Sequence, residues 1–469
     1  MKKVFYKPKN AWAADAIPYY ANGQFHIFYL LDWRNPKKHG EGTPWYKVTT
    51  KDFVRFVSHG EMLPRGTEKE FDMYVFTGSV IEKDGKYHIF YTGHNTKMEE
   101  GNYLQAVMHA VSDDLETWTK IPEDTFQALS DDYEIRDWRD PFVFFDEEEK
   151  IYKMLLSSRK TSGPSRRRGT TALLVSRDLK HWELREPFWE PHLYYAHECP
   201  DLFRIGDWYY QIFSEFSHYH VVRYVMSRSL HGPWITPADD KFDGRAFYAA
   251  KTVSDGKKRY LIGWNPTKEG NVDSGLWQWG GNLVTHEIYQ RKDGTLAVRM
   301  PKKIAKVFRQ EVPVSFQTYD GKEVDFALLQ CVDGAKAIVS KESYGSDYFF
   351  EGTFRYQKGT KRIGFLLNVD ADKDSSYGYF FEPDKQRVVF ELFPNFPQYS
   401  MNAICVERPM KLVPNKDYEV KIIVQDDIVV AYINGEYALN ARMYDSHTGK
   451  VGLMTHGDVA FDEIHIKKQ

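Results

Sequence analysis

Asn22-Gly23-Gln24-Phe25-His26-Ile27-Phe28-Tyr29 joins a two-residue turn to an aromatic-rich run, and Asp84-Gly85-Lys86-Tyr87-His88-Ile89-Phe90-Tyr91 repeats it almost residue for residue. Asn-Gly and Asp-Gly between extended runs are strong hairpin signals, because these residues accept the left-handed backbone that a tight turn requires. Looser copies follow at Glu149-Lys150-Ile151-Tyr152-Lys153-Met154, Gly206-Asp207-Trp208-Tyr209-Tyr210-Gln211 and Asp255-Gly256-Lys257-Lys258-Arg259-Tyr260. From Phe25 through Tyr87, Tyr152 and Trp208 to Tyr260 the steps are 62, 65, 56 and 52 residues, each long enough for four short strands with their loops. Five such units in succession predict an all-β chain whose first part is a five-bladed β-propeller.

A second repeat is interleaved with the first: Thr50-Lys51-Asp52-Phe53-Val54-Arg55-Phe56, Ser112-Asp113-Asp114-Leu115-Glu116-Thr117-Trp118, Ser176-Arg177-Asp178-Leu179-Lys180-His181-Trp182 and, more loosely, Ser227 to Trp234. These read as polar turns on the outer part of each blade, closed by an aromatic that packs between neighbouring sheets. No long amphipathic helical pattern interrupts the region, which disfavours an α/β barrel. Beyond Pro301 the pattern changes to alternating runs such as Tyr418–Val424 and Ile428–Ile433, the latter followed by Asn434-Gly435. The expected division is a catalytic propeller over residues 1–305 and a β-sandwich of jelly-roll, lectin-like type over residues 306–469.

Composition narrows the partners. With 63 Lys+Arg against 66 Asp+Glu there is no field of one sign to attract nucleic acid or an anionic membrane. The three cysteines, Cys199, Cys331 and Cys405, lie far apart, without zinc-ligand spacing or a disulfide framework, so reduced thiols are expected. The N-terminus begins Met1-Lys2-Lys3 but develops no apolar stretch of signal-peptide length, and no 18-residue apolar run occurs elsewhere, so a cytoplasmic chain, monomeric or homodimeric, is expected. Aromatics at 16% suit stacking on sugar rings but also any β-protein, and decide nothing alone.

The repeat supplies a coordinate system for the acidic residues. Counting back from the aromatic markers, Asp15 lies 10 residues before Phe25, Asp140 lies 12 before Tyr152 and Glu198 lies 10 before Trp208, with Thr77 in the matching place 10 before Tyr87. Equivalent positions in successive blades lie at equal distances from a propeller axis, so three carboxylates are expected around one axial pocket. Such a set suits glycosidic bond cleavage, in which one acid protonates the leaving oxygen and another meets the cationic sugar carbon; neither metal nor cofactor is called for.

On these residues the chain resembles glycoside hydrolase family 32, the invertases, inulinases, levanases and related fructosyltransferases. The matching pieces are Arg139-Asp140-Pro141, Glu198-Cys199-Pro200-Asp201, Phe76-Thr77-Gly78-Ser79, Tyr91-Thr92-Gly93, Phe247-Tyr248-Ala249 and Gly263-Trp264. Each is weak alone, while their order and spacing are specific. The resemblance implies a five-bladed propeller followed by a β-sandwich, a retaining double displacement on β-fructofuranosyl linkages, Asp15 as nucleophile, Glu198 as general acid/base and Asp140 as the carboxylate that grips fructose hydroxyls. It also implies that Arg139 fixes Asp140, that Cys199 packs beside the acid, and that Phe76, Thr77, Ser79 and Tyr248 belong to the sugar site. Trp12, Trp33, Trp138 and Trp264 are candidate stacking faces.

Departures concentrate around the nucleophile. The family usually shows Trp-Met-Asn-Asp-Pro-Asn-Gly where this chain has Trp12-Ala13-Ala14-Asp15-Ala16-Ile17-Pro18, and a strand ending Phe-Tyr-Gln where this chain has Phe28-Tyr29-Leu30. A drier first subsite is expected, with Asp32 or Trp33 compensating and an oligofructan, a difructose compound or another fructoside preferred over sucrose. Fructosyl transfer, an inverting arabinanase- or xylosidase-type propeller glycosidase and a non-catalytic carbohydrate-binding propeller are the competing readings. The first-formed anomer separates inversion from retention, and loss of catalysis on changing Asp15 separates an enzyme from a binder.

Overall fold

A computed structural model describes residues 2–99, 102–325, 329, 331, 334–394 and 405–469. The chain is all-β, and the α-helices among the described residues are single turns, Pro36–His39 and Lys302–Ala305. Among the described residues no helix is long and apolar enough to cross a membrane.

Five antiparallel meanders follow one another. The first is β1 (Trp12–Ala21), β2 (Gln24–Asp32), β3 (Trp45–Thr50) and β4 (Val57–Leu63); the second is β5 (Tyr74–Lys83), β6 (Lys86–Glu99), β7 (Asn102–Ser112) and β8 (Thr119–Lys120). The third comprises β9 (Tyr133–Asp146), β10 (Ile151–Lys160), β11 (Gly169–Ser176) and β12 (Glu183–Leu184), and the fourth β13 (Glu198–Ile205), β14 (Trp208–Glu215) and β15 (Val221–Ser227). The fifth is β16 (Tyr248–Ser254), β17 (Arg259–Lys268), β18 (Trp277–Gln290) and β19 (Leu296–Arg299), and it joins the first because β1 pairs with β18. The leading strands β1, β5, β9, β13 and β16 touch in that order, and β16 touches β1 again.

Both sequence repeats have local causes. Asn22-Gly23 and Asp84-Gly85 turn with φ of 52, 73, 53 and 79°, the left-handed pair that a two-residue hairpin needs. In the outer turns a hydroxyl and a carboxylate replace missing backbone partners: Ser112 Oγ accepts from the Leu115 amide at 2.9 Å while Asp114 Oδ1 accepts from the amides of Glu116 and Thr117 at 2.8 Å. Thr50 with Asp52 and Ser176 with Asp178 do the same, which is the Asx/ST-turn chemistry of these residues. The closing aromatics bridge sheets, Trp118 lying edge-on to Phe28 at 5.9 Å and Trp182 edge-on to Phe90 at 5.5 Å between ring centroids.

From Gln310–Val312 to Val459–Lys468 the strands form one six-stranded and one eight-stranded sheet. Their facing side chains share a core, with Phe350 of one sheet 5.4 Å from Phe365 of the other. This unit is bonded into the first. Arg442 donates to the carbonyls of Asn265 and Pro266 at 3.0 and 2.7 Å, Asn440 N donates to Asp243 at 2.8 Å, and Asp273, in the β17–β18 connection, accepts from Tyr377 OH at 2.5 Å and Tyr444 N at 3.0 Å.

Candidate active site

Each leading strand carries one extra residue against its partner at the same height. The register slips between Ala13 and Ala16 in β1, Phe76 and Gly78 in β5, Arg139 and Phe142 in β9, Glu198 and Asp201 in β13, and Tyr248 and Lys251 in β16. A bulge bends a strand and re-aims the side chains beside it. Asp140, Cys199 and Ala249 stand just inside their bulges with φ of 59, 51 and 49°, a conformation that costs a residue with a side chain about 1–2 kcal/mol. Counting from the aromatic markers sets Asp140 12 and Glu198 10 residues back, whereas the register puts Cys199 level with Asp140 and Glu198 one residue earlier, level with Arg139 and Tyr248 in the neighbouring strands.

These bulges border a pocket of about 730 Å³ lined by Asp15, Asp140 and Glu198 together with Phe76, Arg139, Cys199, Tyr248 and Trp264. Asp15 accepts from Trp264 Nε1 at 2.9 Å through one oxygen and from the Thr77 hydroxyl through the other. Asp140 accepts from the Cys199 amide at 2.8 Å, and the Cys199 thiol lies 3.9 Å from Asp15. One residue therefore touches two carboxylates and is bonded in sequence to the residue bearing the third. Glu198 accepts from Arg139 Nη2 at 3.0 Å and from Tyr248 OH at 2.6 Å. Arg139 is held in turn by Asp137 at 2.6 Å and stands 3.9 Å from Asp140.

Burial sets the electrostatics. Desolvation raises the pKa of Asp15, opposed by its bonds from Thr77 and Trp264 and reinforced by Glu198. Asp140 is pushed up to about 6, first by burial, with Arg139 pulling down and Glu198 pushing up. Burial also pushes the Cys199 thiol well up, with Asp15 and Asp140 adding to the effect, so it stays protonated at neutral pH and is no nucleophile.

Asp140 yields a stability prediction. A carboxyl whose folded pKa exceeds its unfolded value binds its proton more tightly when folded, so its contribution is complete below about pH 4 and is lost as pH rises through about 6. Asp140→Asn removes this loss, worth about 2–3 kcal/mol from the 1.36 kcal/mol per unit of pKa, and the left-handed backbone there suits Asn. Thermal unfolding is expected to show the variant melting a few degrees higher than wild type at pH 7.5 and level with it at pH 4, while activity falls. An equal difference at both pH values would exclude the charge as its cause.

Six of the residues expected at the sugar lie outside the pocket lining. Thr77 is fully buried behind Asp15. Ser79 accepts from the Val143 amide at 2.9 Å and so ties β5 to β9. Trp12 is covered by Lys7, 3.6 Å from its ring, and Trp33 stacks on His39 at 4.9 Å. Asp32 binds Arg34, accepting from its backbone amide at 2.9 Å. Trp138, a further stacking candidate, is core packed edge-on to Tyr133.

The lining that the sequence did not announce comes from connections and from the start of β18. His220 stacks on the ring of Tyr248 at 3.9 Å between centroids, while the Tyr248 hydroxyl bonds Glu198. Arg245, Tyr195 and Phe216 form part of the wall, and Trp277-Gln278-Trp279 forms another part, with both tryptophans more than a third exposed. Arg34 anchors this segment, donating to Gln278 Oε1 at 2.8 Å and to the Trp279 carbonyl at 2.6 Å. Asp32 thus acts on the rim through Arg34. No repeat or turn signal marks these residues, because they stand at hairpin ends where spacing carries no period.

A pocket with three acids from separate strands and an aromatic rim is the site of a carbohydrate-processing protein. Over residues 5–287 the chain matches the glycosyl hydrolases family 32 N-terminal domain, and it belongs to that family; it is a glycoside hydrolase. Sucrose-6-phosphate hydrolase of Vibrio alginolyticus is 27% identical over 368 residues, 71% of this chain and 67% of the relative. Raffinose invertase of Escherichia coli is 23% identical over 444 residues, 91% of this chain and 85% of the relative. Among solved structures, sucrose-6-phosphate hydrolase from Lactobacillus gasseri superposes with a TM-score of 0.75 at 16% identity, covering 97% of this chain and 90% of that one. Exo-inulinase from Aspergillus awamori superposes with a TM-score of 0.74 at 17% identity, covering 99% and 97%.

Proposed function

We propose that this chain is a retaining β-fructofuranosidase acting on sucrose, fructo-oligosaccharides or fructans. Its five meanders are read as the blades of a propeller over residues 1–305, and the two later sheets as a β-sandwich over residues 306–469. The closed order of contacts among the leading strands supports five blades. The observation that carries the reading is the placing of Cys199 against both Asp15 and Asp140 with Glu198 beside it, which gathers the three acids at one sugar-sized cavity.

In this reading Asp15, its oxygens fixed by Trp264 and Thr77, attacks the anomeric carbon of fructose while Glu198 protonates the departing oxygen. Water that Glu198 then deprotonates releases the sugar from Asp15. Glu198 keeps 22% of its side chain exposed against 6% for Asp140, which suits the residue that must exchange its proton with water. Asp140 holds fructose hydroxyls and steadies the cationic transition state. The family relationship and the buried thiol of Cys199 suit action in the cytoplasm.

The exposed Trp279 favours substrates with a further sugar ring beyond the scissile bond, which can stack on its aromatic face. Trp279→Ala is expected to lower kcat/KM for 1-kestose several-fold and to leave sucrose within twofold. The reading as a whole is tested on sucrose, kestose, inulin, levan and aryl arabinosides, with the first-formed anomer identified by NMR. Fructose released with retained configuration is expected. Release from none of the fructosides, or a first product of inverted configuration, defeats it.

A further inference from the structure

Lys251 is 2% exposed and lies where the β16 bulge ends. Its Nζ donates to the Pro200 carbonyl at 3.1 Å and stands 5.2 Å from the centre of the Phe142 ring. Among the described residues no carboxylate lies within ion-pairing distance of it, although Lys153, also nearly fully buried, has Asp146 and Glu149 at 2.6 Å. A buried ammonium without an ion-pair partner is costly, so a fold that keeps one must gain elsewhere.

The surroundings indicate where. Pro200 is the second residue of the β13 bulge, next to Cys199, whose amide holds Asp140, and to Glu198 before it. The carboxylates whose charge acts on Lys251 are Asp201 of β13, Asp140 of β9 and Asp15 of β1, and all favour its cationic form against the desolvation that lowers its pKa. Asp201 is engaged separately, accepting from the Thr252 amide at 2.5 Å, with Arg259 bonded to the Thr252 hydroxyl. Asp15 and Asp140 also feel Glu198, and Arg139 faces Asp140. Arg139 is shared among Asp137, Asp140 and Glu198, which leaves Lys251 as the second buried cation acting on the acids.

We propose that Lys251 is a positioning residue of this active site: it pins the Cys199–Pro200 bulge through the Pro200 carbonyl, and its positive charge favours the anionic side of the acids that the bulge gathers. The proposal rests on the reading of these acids as glycosidase machinery. It separates two effects that different substitutions remove. Lys251→Gln keeps an N–H donor and loses the charge, Lys251→Met loses both, and Lys251→Arg keeps the charge.

The experiment is the pH profile of kcat/KM and of kcat on whichever fructoside the wild type cleaves, with near-ultraviolet circular dichroism as the folding check. Removing a nearby cation raises carboxyl pKa values, so the acid limb of the Lys251→Gln profile is expected to move to higher pH while that of Lys251→Arg stays in place. Lys251→Met should share the displacement and lose at least a further tenfold in kcat with KM within twofold. A Lys251→Gln profile that superposes on the wild type overturns the electrostatic role, and equal kcat in the Gln and Met variants overturns the pinning role. If the Met variant does not fold, the Gln and Arg pair still decides the electrostatic role. A wild type inactive on every fructoside counts instead against the proposed function.

Discussion

Asp15→Asn is expected to lower kcat on a fructoside at least a thousandfold while leaving substrate affinity within about tenfold. An amide cannot form the glycosyl ester, and without it double displacement has no first intermediate. The rest of the site stays in place, because the Trp264 indole and the Thr77 hydroxyl are fixed by their own strands. The amide oxygen can satisfy only one of those two donors, so a modest loss of order beside residue 15 accompanies the change. Affinity is measured on the inactive variant by titration calorimetry. A variant retaining a tenth of wild-type kcat would show that Asp15 is not the attacking group.

Glu198→Ala is expected to cut kcat/KM for unactivated fructosides by 10²–10⁴-fold, the usual worth of general acid–base catalysis. Fructosyl fluoride, whose leaving group needs no proton, should lose far less in the first step and accumulate the covalent intermediate on Asp15. Azide should then restore turnover by attacking that intermediate, giving fructosyl azide of retained configuration, because the small anion needs no base. The variant frees Arg139 Nη2 and Tyr248 OH, both of which now bond Glu198, and opens room in which azide can sit. Equal losses on the fluoride and on sucrose, with no azide product, would remove Glu198 from the acid/base role.

Much of this architecture was legible because its causes are local. Asn22-Gly23, Asp84-Gly85 and the Ser/Thr–Asp turns are fixed by their own backbone chemistry, so spacing alone laid out the successive meanders and the outer aromatics Trp118 and Trp182 between them. The acids were legible as a set for the same reason. What spacing could not show was the extra residue in each leading strand, which re-aims the side chains beside it, or the unequal hairpin turns, residues 147–150 after β9 against 206–207 after β13, which put Cys199 rather than Glu198 level with Asp140. Trp12 and Trp33 misled because an aromatic beside a candidate acid looks like a sugar platform, whereas cations and His39 occupy their faces. Trp277, Trp279 and His220 reach the pocket only through long-range folding.

The β17–β18 hairpin is bonded from two sides, by Arg34 of the first meander at the start of β18 and by Arg442, Tyr377 and Tyr444 of the later sheets at the end of β17 and in its turn. The later sheets are accordingly not an appendage that could be swapped for an unrelated module. A chimaera joined after Ala305 would leave the entrance wall without half of its moorings, and selectivity among long and short fructans would slacken before the chemistry itself suffered.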